Sequence, residues 1–381
     1  MTAEAVRPQP GTAPATARRL RILHVVLVLG ETNSQYNEHC LPQIGRRDLA
    51  VCTYFPPQLT PPAGITLFPG DGTLRGFFRA LRKALTEKEY DALHAHSPHA
   101  AVLVPLGLLS RPRFWRLWRQ LVLTVHDSFY DYKPRNKVLT LVGLPLFRRV
   151  VFCSNAALES FPRPARWLVG SRARVVQNAA DLDRVARVVE GITSPDDGVF
   201  RIISVGRLEQ VKDPGALVAA FAGTPADSRL ELIGAGALEE DLRREVEDRG
   251  LGDRVELTGL LPRDEVFHHY ARSDLFVSVS HGEGLPVAVM EAMAAGLPVV
   301  LSDIPPHHEV VDGLDDVPLV RPGDVAGFAR EIDRFRRMTR SRRQEIGSRC
   351  RARVLETFTL ARMHQGYDRV YRELAPEEEP A

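Results

Sequence analysis

The chain runs to 381 residues, 44% of them hydrophobic and 26% charged, with a formal net charge of +2. That length suits two or three globular domains, and the composition excludes a collagenous or wholly disordered chain. A near-neutral balance with no RNA-module signature also excludes nucleic acid as a dedicated partner.

Residues 1–17 lack the apolar stretch of a signal peptide and read as a solvated tail, as does the terminal "PEEEPA". Beyond them, short Val/Ile/Leu runs alternate with amphipathic segments. "RILHVVLVLG", "DALHAH", "LVLTVH" and "VVFCS" are strand candidates of the first half; "RIISVG", "RLELIG", "RVELTG", "DLFVSVS" and "PVVLS" are those of the second. Such runs mark parallel strands buried on both faces. Their occurrence in two sets predicts an α/β protein of two doubly wound, Rossmann-like domains over 18–185 and 200–355, with the break near 180–199. Ligands of such sheets sit outside the carboxyl ends of the strands, so two facing sheets make one interdomain cleft. The last stretch, "FTLARMHQGYDRVYREL", predicts an amphipathic helix within 356–374.

The charge is unevenly placed. Residues 1–185 hold 25 Lys+Arg against 13 Asp+Glu, and residues 186–381 hold 25 against 35. A basic half joined to an acidic half implies different partners. In the basic half, "TLRGFFRALRKAL" (73–85) gathers Leu74, Phe77, Phe78, Leu81 and Leu85 on one helical face, ringed by arginines and a lysine. "RPRFWRLWRQ" (111–120) interleaves arginines with Phe114, Trp115 and Trp118. Both segments fit an ordinary surface helix with its apolar side in the core, or a face for an anionic membrane surface. "HAHSPH" clusters His94, His96 and His99 at a spacing that matches no zinc motif, so they are expected to line a cleft with no metal. The cysteines (Cys40, Cys52, Cys153, Cys350) are too dispersed for a zinc site or disulfide framework, which fits a reducing cytoplasm.

The second half carries the chemistry. "SVGRLEQVKD" puts Arg207 and Lys212 on the loop after a strand, where a planar fork and a point charge can clamp a diphosphate. "LIGAGALEE" holds a Gly-Ala-Gly turn at 234–236, short of a full nucleotide-binding fingerprint. In "HGEGLPVAVMEAMAAG" (281–296), Glu283 lies in a loop, Pro286 opens a helix, Glu291 sits inside it and Gly296 ends it. Burying an unpaired carboxylate is costly, so each glutamate needs a partner. The helix start attracts a phosphate, and flanking carboxylates suit sugar hydroxyls. The alternative is that Glu291 pairs with Arg207 or Lys212 in a purely structural way.

Together, "GRLEQVKD", "GAG", "HGEGLPVAVMEAMAAGLPVV" and "SDIPPHHEVV" resemble the GT-B-fold glycosyltransferases of family 4, retaining enzymes with an E-x7-E motif. The resemblance implies a UDP- or GDP-sugar donor and no metal cofactor. It implies that Arg207 and Lys212 hold the diphosphate, that Glu283 touches the transferred sugar and that Glu291 touches the ribose. N–H groups at Gly284 and Leu285 would approach the phosphate, with Gly206, Gly234 and Gly236 also on the donor side. His126, ending "LVLTVH", would face the donor sugar, and the C-terminal helix would cross back onto the first domain. The stretch "LGETNSQYNEHCLP" departs from the family, because Gly30 is followed by Glu31 where a second glycine is usual. Gly30, Glu31, Asn33 and Glu38 are expected on the acceptor side. Ala179 stands where glycine is usual, and "DLD" at 181–183 is a linker turn and not a metal-binding D-x-D.

The implied activity is retaining transfer of a hexose to an acceptor glycan or lipid-linked saccharide of the cell surface, by a cytoplasmic protein peripheral to the inner face of the membrane. A soluble natural-product acceptor, a nucleotide-sugar epimerase and a non-catalytic sugar-nucleotide-binding protein are the alternatives.

Overall fold

The computed structural model describes residues 19–30, 33–192 and 194–374. Glu31 and the two expected tails therefore lie outside the described residues. The first sheet contains β1 (Arg21–Val26), β2 (Asp48–Thr53), β3 (Ile65–Phe68), β4 (Ala92–Ala95), β5 (Leu121–Val125), β6 (Arg149–Phe152) and β7 (Ala173–Val175). Their order is β3-β2-β1-β4-β5-β6-β7. The second contains β8 (Phe200–Val205), β9 (Ser228–Ile233), β10 (Val255–Gly259), β11 (Leu275–Ser278), β12 (Val299–Ser302) and β13 (Leu319–Val320), in the order β10-β9-β8-β11-β12-β13. All of these pairings are parallel.

Strands β4, β5, β11 and β12 are buried at every residue, which is why they read as unbroken apolar runs. β2 ("DLAVCT"), β3, β7 and β13 escaped that reading because they are short or mix polar with apolar residues. Strand order reverses between β1 and β4 and again between β8 and β11. Ligand crevices of doubly wound sheets open at such points. The loops leaving these four strands face one another across the interdomain cleft.

The helix Leu182–Val189 packs on the second-domain helices Arg263–Arg272 and Val287–Ala294, so the chain changes domain near Ala180. It returns after the helix Arg340–Thr357, where Ala180 N–H donates to the Phe358 carbonyl at 3.3 Å. The helix Leu360–Arg372 then lies on the first sheet, burying Met363, Tyr367, Val370 and Tyr371. Tyr371 hydroxyl is 2.7 Å from His94 Nδ1, and Tyr367 hydroxyl is 3.1 Å from Thr124 Oγ1. Arg47 pairs with Asp368, and Arg149 and Arg174 both reach Glu373.

Both basic segments have most of their apolar residues turned inward. The helix Leu74–Glu87, capped by Thr73, buries Phe77, Leu81 and Leu85 and leaves Leu74 exposed. The 3₁₀ turns Pro112–Gln120 bury Phe114 and Leu117 but leave Trp115 57% exposed. Among the described residues, no helix is long and apolar enough to cross a membrane.

The Tyr371–His94 bond ties the returning helix to the first sheet inside the core. Tyr371→Phe leaves the His94 nitrogen without a partner and is expected to lower unfolding stability by about 1–3 kcal/mol, read from urea denaturation.

Candidate active site

The second domain supplies one wall of the cleft. The loop after β8 and the Gly-Ala-Gly turn after β9 lie in backbone contact. A Cβ on Gly234, which has φ +144°, would fall 1.9 Å from the Gly206 carbonyl oxygen, and one on Gly236 would fall 2.3 Å from that of Leu208. Gly206 lines the cleft, Gly234 borders its second cavity, and Gly236 supports the turn without lining either. This packing carries Arg207 and Lys212 into a cavity of about 490 Å³.

Glu283 has a protein partner. Lys212 Nζ lies 2.5 Å from Glu283 Oε1, and Ser280 Oγ donates to the same oxygen at 2.9 Å. Burial pushes the Glu283 carboxyl up, but the charges of Lys212 and His307 and its two hydrogen-bond donors outweigh it and hold it below the usual carboxylate range. Arg207 pairs instead with Glu209 at 2.6 Å, with its side chain 63% exposed. So exposed a pair contributes little stability and exchanges readily for a ligand.

Glu291 pairs with neither Arg207 nor Lys212. Its Oε1 accepts from Arg263 Nε at 3.0 Å and Nη2 at 2.5 Å. The same guanidinium lies 2.7 Å from Glu38 Oε1. Glu38, expected on the acceptor side, therefore sits with Glu291 in a second cavity of about 370 Å³ that Gly234 also lines. Burial pushes Glu38 up to about 8; Arg263 opposes the shift, while the charges of Glu291 and Asp181 add to it. Arg263 was invisible to sequence reading: its only signal is its place just past the carboxyl end of β10, after Pro262.

The first domain supplies the opposite wall. His126 borders the first cavity and a third of about 490 Å³ that Asn33, His96 and Asp131 also line. Burial drives its pKa down to about 4, so the ring is neutral. Asn33 also caps the helix Ser34–His39, accepting from Tyr36 N–H at 2.9 Å. Gly30 lines none of the three cavities and faces the Gln58 side chain.

The walls are fastened through backbone. Ser128 Oγ donates to the Glu283 carbonyl at 2.6 Å, and Ser154 Oγ donates to that of Gly284 at 2.7 Å. A Cβ on Gly284 would lie 1.8 Å from the His126 carbonyl oxygen. Glu309, on the helix Pro305–Val311, accepts from Asn155 N–H at 3.2 Å, Ala156 N–H at 3.1 Å and Gln177 Nε2 at 2.6 Å. Leu285 and Val287 line the first cavity at the start of the helix Val287–Ala294, whose first N–H groups have no partner within the helix.

Two doubly wound domains closing on such a cleft define the GT-B class of glycosyltransferase. Sequence comparison places this chain within it, matching Glycosyltransferase Family 4 over residues 17–184 and Glycosyl transferases group 1 over 191–353. The chain belongs to the GT-B glycosyltransferases of the group 1, family 4 type, and is a hexosyltransferase. The UDP-Gal:α-D-GlcNAc-diphosphoundecaprenol α-1,3-galactosyltransferase of Escherichia coli is 26% identical over 304 residues, covering 74% of this chain and 75% of that protein. The GDP-mannose:cellobiosyl-diphosphopolyprenol α-mannosyltransferase of Xanthomonas oryzae is 30% identical over 203 residues, covering 49% and 50%. Among solved structures, Anabaena HepE in complex with UDP and glucose superposes with a TM-score of 0.73 at 20% identity, over 93% of this chain and 100% of that one.

Two expectations follow from this geometry. Gly284→Ala forces a side chain into backbone across the domain junction, and is expected to lower kcat/KM at least about tenfold in a donor-consumption assay. The second concerns acid. Burial lowers His24 to about 3 and His126 and His307 to about 4. Above pH ~6.5 these rings are neutral folded or unfolded, and contribute nothing. Below it the unfolded chain takes up protons that the fold refuses, so stability falls from pH ~6.5 down to about 4. Urea midpoints measured across that window should drop steadily, and a flat profile would contradict the burial of neutral rings.

Proposed function

We propose that this chain moves a hexose from a UDP- or GDP-sugar to a hydroxyl of a lipid-linked saccharide, with retention of configuration, in building a cell-surface polysaccharide. The observation that carries this reading is the Lys212–Glu283 pair, 2.5 Å apart, in one cavity with Arg207 and His126. A cation for a phosphate and a carboxylate for a hydroxyl are what a sugar diphosphate needs side by side.

In this reading Arg207 exchanges Glu209 for the diphosphate, Lys212 bridges phosphate and Glu283, and N–H groups at Gly284 and Leu285 complete the phosphate cradle. Glu283 accepts from a hydroxyl of the transferred sugar. Glu291, oriented by Arg263, accepts from the ribose in the second cavity. Neutral His126 orients a further sugar hydroxyl. As the bond from the anomeric carbon to the diphosphate breaks, charge grows on the leaving oxygen against Arg207 and Lys212. That oxygen takes the proton of the acceptor hydroxyl as the new glycosidic bond forms on the same face. No metal is needed for this stabilisation. The acceptor enters by the third cavity, past Asn33.

Both relatives above act, by their names, on diphosphate-linked polyprenol acceptors, which supports a lipid-linked substrate. The protein then works from the cytoplasm at the inner face of the membrane. The contact is formed by exposed Leu106, Leu109 and Trp115, with arginines of 111–120 and 75–82 beside them. The helix Pro98–Leu109 packs on both basic segments, which makes one surface of them.

UDP-glucose, UDP-galactose, UDP-N-acetylglucosamine and GDP-mannose, each offered with diphosphopolyprenol-linked saccharides, test the reading by nucleotide release and product mass. Release that depends on acceptor, with an α-linked product from an α-donor, is the expected result. Acceptor-independent donor conversion would indicate an epimerase, turnover on soluble acceptors alone would move the acceptor class, and binding without turnover on any acceptor would leave a sugar-nucleotide-binding protein. Lys212→Ala is expected to lose at least about tenfold in kcat through lost stabilisation of the leaving diphosphate.

A further inference from the structure

Five histidines gather under the first-domain wall of the cleft, and the donor chemistry uses only one. His24 comes from β1, His94 and His96 from the end of β4, His126 from the end of β5 and His39 from the helix Ser34–His39. Ring centroids of His94 and His96 are 3.9 Å apart, and those of His96 and His126 are 5.3 Å apart. Three of the rings form a chain. His24 Nδ1 lies 2.8 Å from His96 Nε2, and His96 Nδ1 lies 3.0 Å from His126 Nε2. The chain's two end nitrogens, His24 Nε2 and His126 Nδ1, are buried without a hydrogen-bond partner among the described residues. His94 stands apart, with both its nitrogens bonded, to Tyr371 and Thr124 at 2.7 Å each.

A neutral imidazole carries one proton. Each of the two contacts needs one proton between its nitrogens, so the three rings must share a tautomer. Either all carry it on Nδ1, leaving a bare lone pair at His24 and an N–H at His126, or all carry it on Nε2, leaving the reverse. The ends are not equivalent. His24 is 1% exposed, deep in the sheet, where an orphaned N–H is the rarer and costlier defect. The Arg47 guanidinium, held over the Tyr371 ring, acts on the His24 side, where a positive charge favours a lone pair over an N–H. His126 borders two cavities and His24 neither, so of the two end nitrogens only that of His126 belongs to a residue that a ligand can meet.

We infer that His24 and His96 are positioning residues that hold His126 in its Nδ1–H form, presenting the cleft with a hydrogen-bond donor. The inference rests on the donor sugar lying against His126. Through it, two residues that touch no substrate set whether His126 meets a sugar hydroxyl as donor or acceptor. The competing use of the cluster is a metal site, since ring nitrogens of His39, His96 and His126 lie within 4.8 Å of one another. His24, His94 and His96 form a second such group, and since both nitrogens of His96 belong to the chain, a metal in either group would take a nitrogen that the chain uses.

The first measurement is independent of the substrate. In the full chain labelled with 15N-histidine, long-range 1H–15N correlations near neutral pH report each tautomer. His24, His96 and His126 should all carry the proton on Nδ1; a proton on His126 Nε2, or mixed tautomers among the three, overturns the inference. His24→Leu should return His126 to a tautomer mixture and lower kcat about tenfold with affinity for the nucleoside diphosphate unchanged. An Nδ1 tautomer retained in that variant, or an unchanged kcat, overturns the positioning role. If His24→Leu does not fold, the wild-type spectrum decides. Saturable binding of zinc at one equivalent, lost in His96→Gln, also overturns it. A protein without transferase activity but with the Nδ1 chain would refute the proposed function and leave the chain standing.

Discussion

Two hydroxyls hold the active arrangement together. Ser128 and Ser154 of the first domain donate to the consecutive carbonyls of Glu283 and Gly284 in the second. Buried carbonyls need donors, and these two find theirs only when the domains meet in one register. Because Gly284 has no side chain, its backbone can rest against the carbonyl of His126. The main chain at Glu283 and that at His126 are thereby set directly against each other across the domain junction. Transfer chemistry depends on placement to within about 1 Å, so this is the contact that the rest of the cleft relies on.

The charges around it are arranged for exchange. A buried ion pair is weak evidence of stability, because desolvation offsets much of the attraction. Lys212 with Glu283, and Arg263 with Glu291 and Glu38, each leave a carboxylate oxygen or a cation edge facing a cavity. Carboxyl groups are also crowded: burial and the charges of Asp127 and Glu283 push Asp131 up to about 6, and burial pushes Glu38 up as well. A ligand rich in hydroxyl donors relieves such a set better than another cation would, since it satisfies oxygens without adding charge to bury.

The sequence made legible whatever lies close along the chain. The buried strands showed as apolar runs because helices cover both faces of each sheet. Arg207, Lys212 and Glu283 could be read together because two adjacent strand-end loops carry them. Glu38 and Arg263 could not, since 225 positions separate them and only the facing of the two domains joins them. The same limit hid the histidine chain. His24, His96 and His126 stand on neighbouring strands, so sheet order, which no local pattern encodes, brings their rings into line. The basic helix was ambiguous for another reason: one amphipathic pattern serves a core and a bilayer equally, and its packing buries the apolar face while leaving Arg75, Arg79 and Arg82 exposed.

The chain passes between the domains twice, once near Ala180 and once near Phe358, and the passages are bonded to each other. Two adjoining threads behave like the knuckles of a door hinge. They permit swing about the line through them and resist sliding and twisting. Closing must therefore bring the same pairs of residues together each time. The serine-to-carbonyl bonds and the Glu309 contacts act as a latch on a door that has one way to shut.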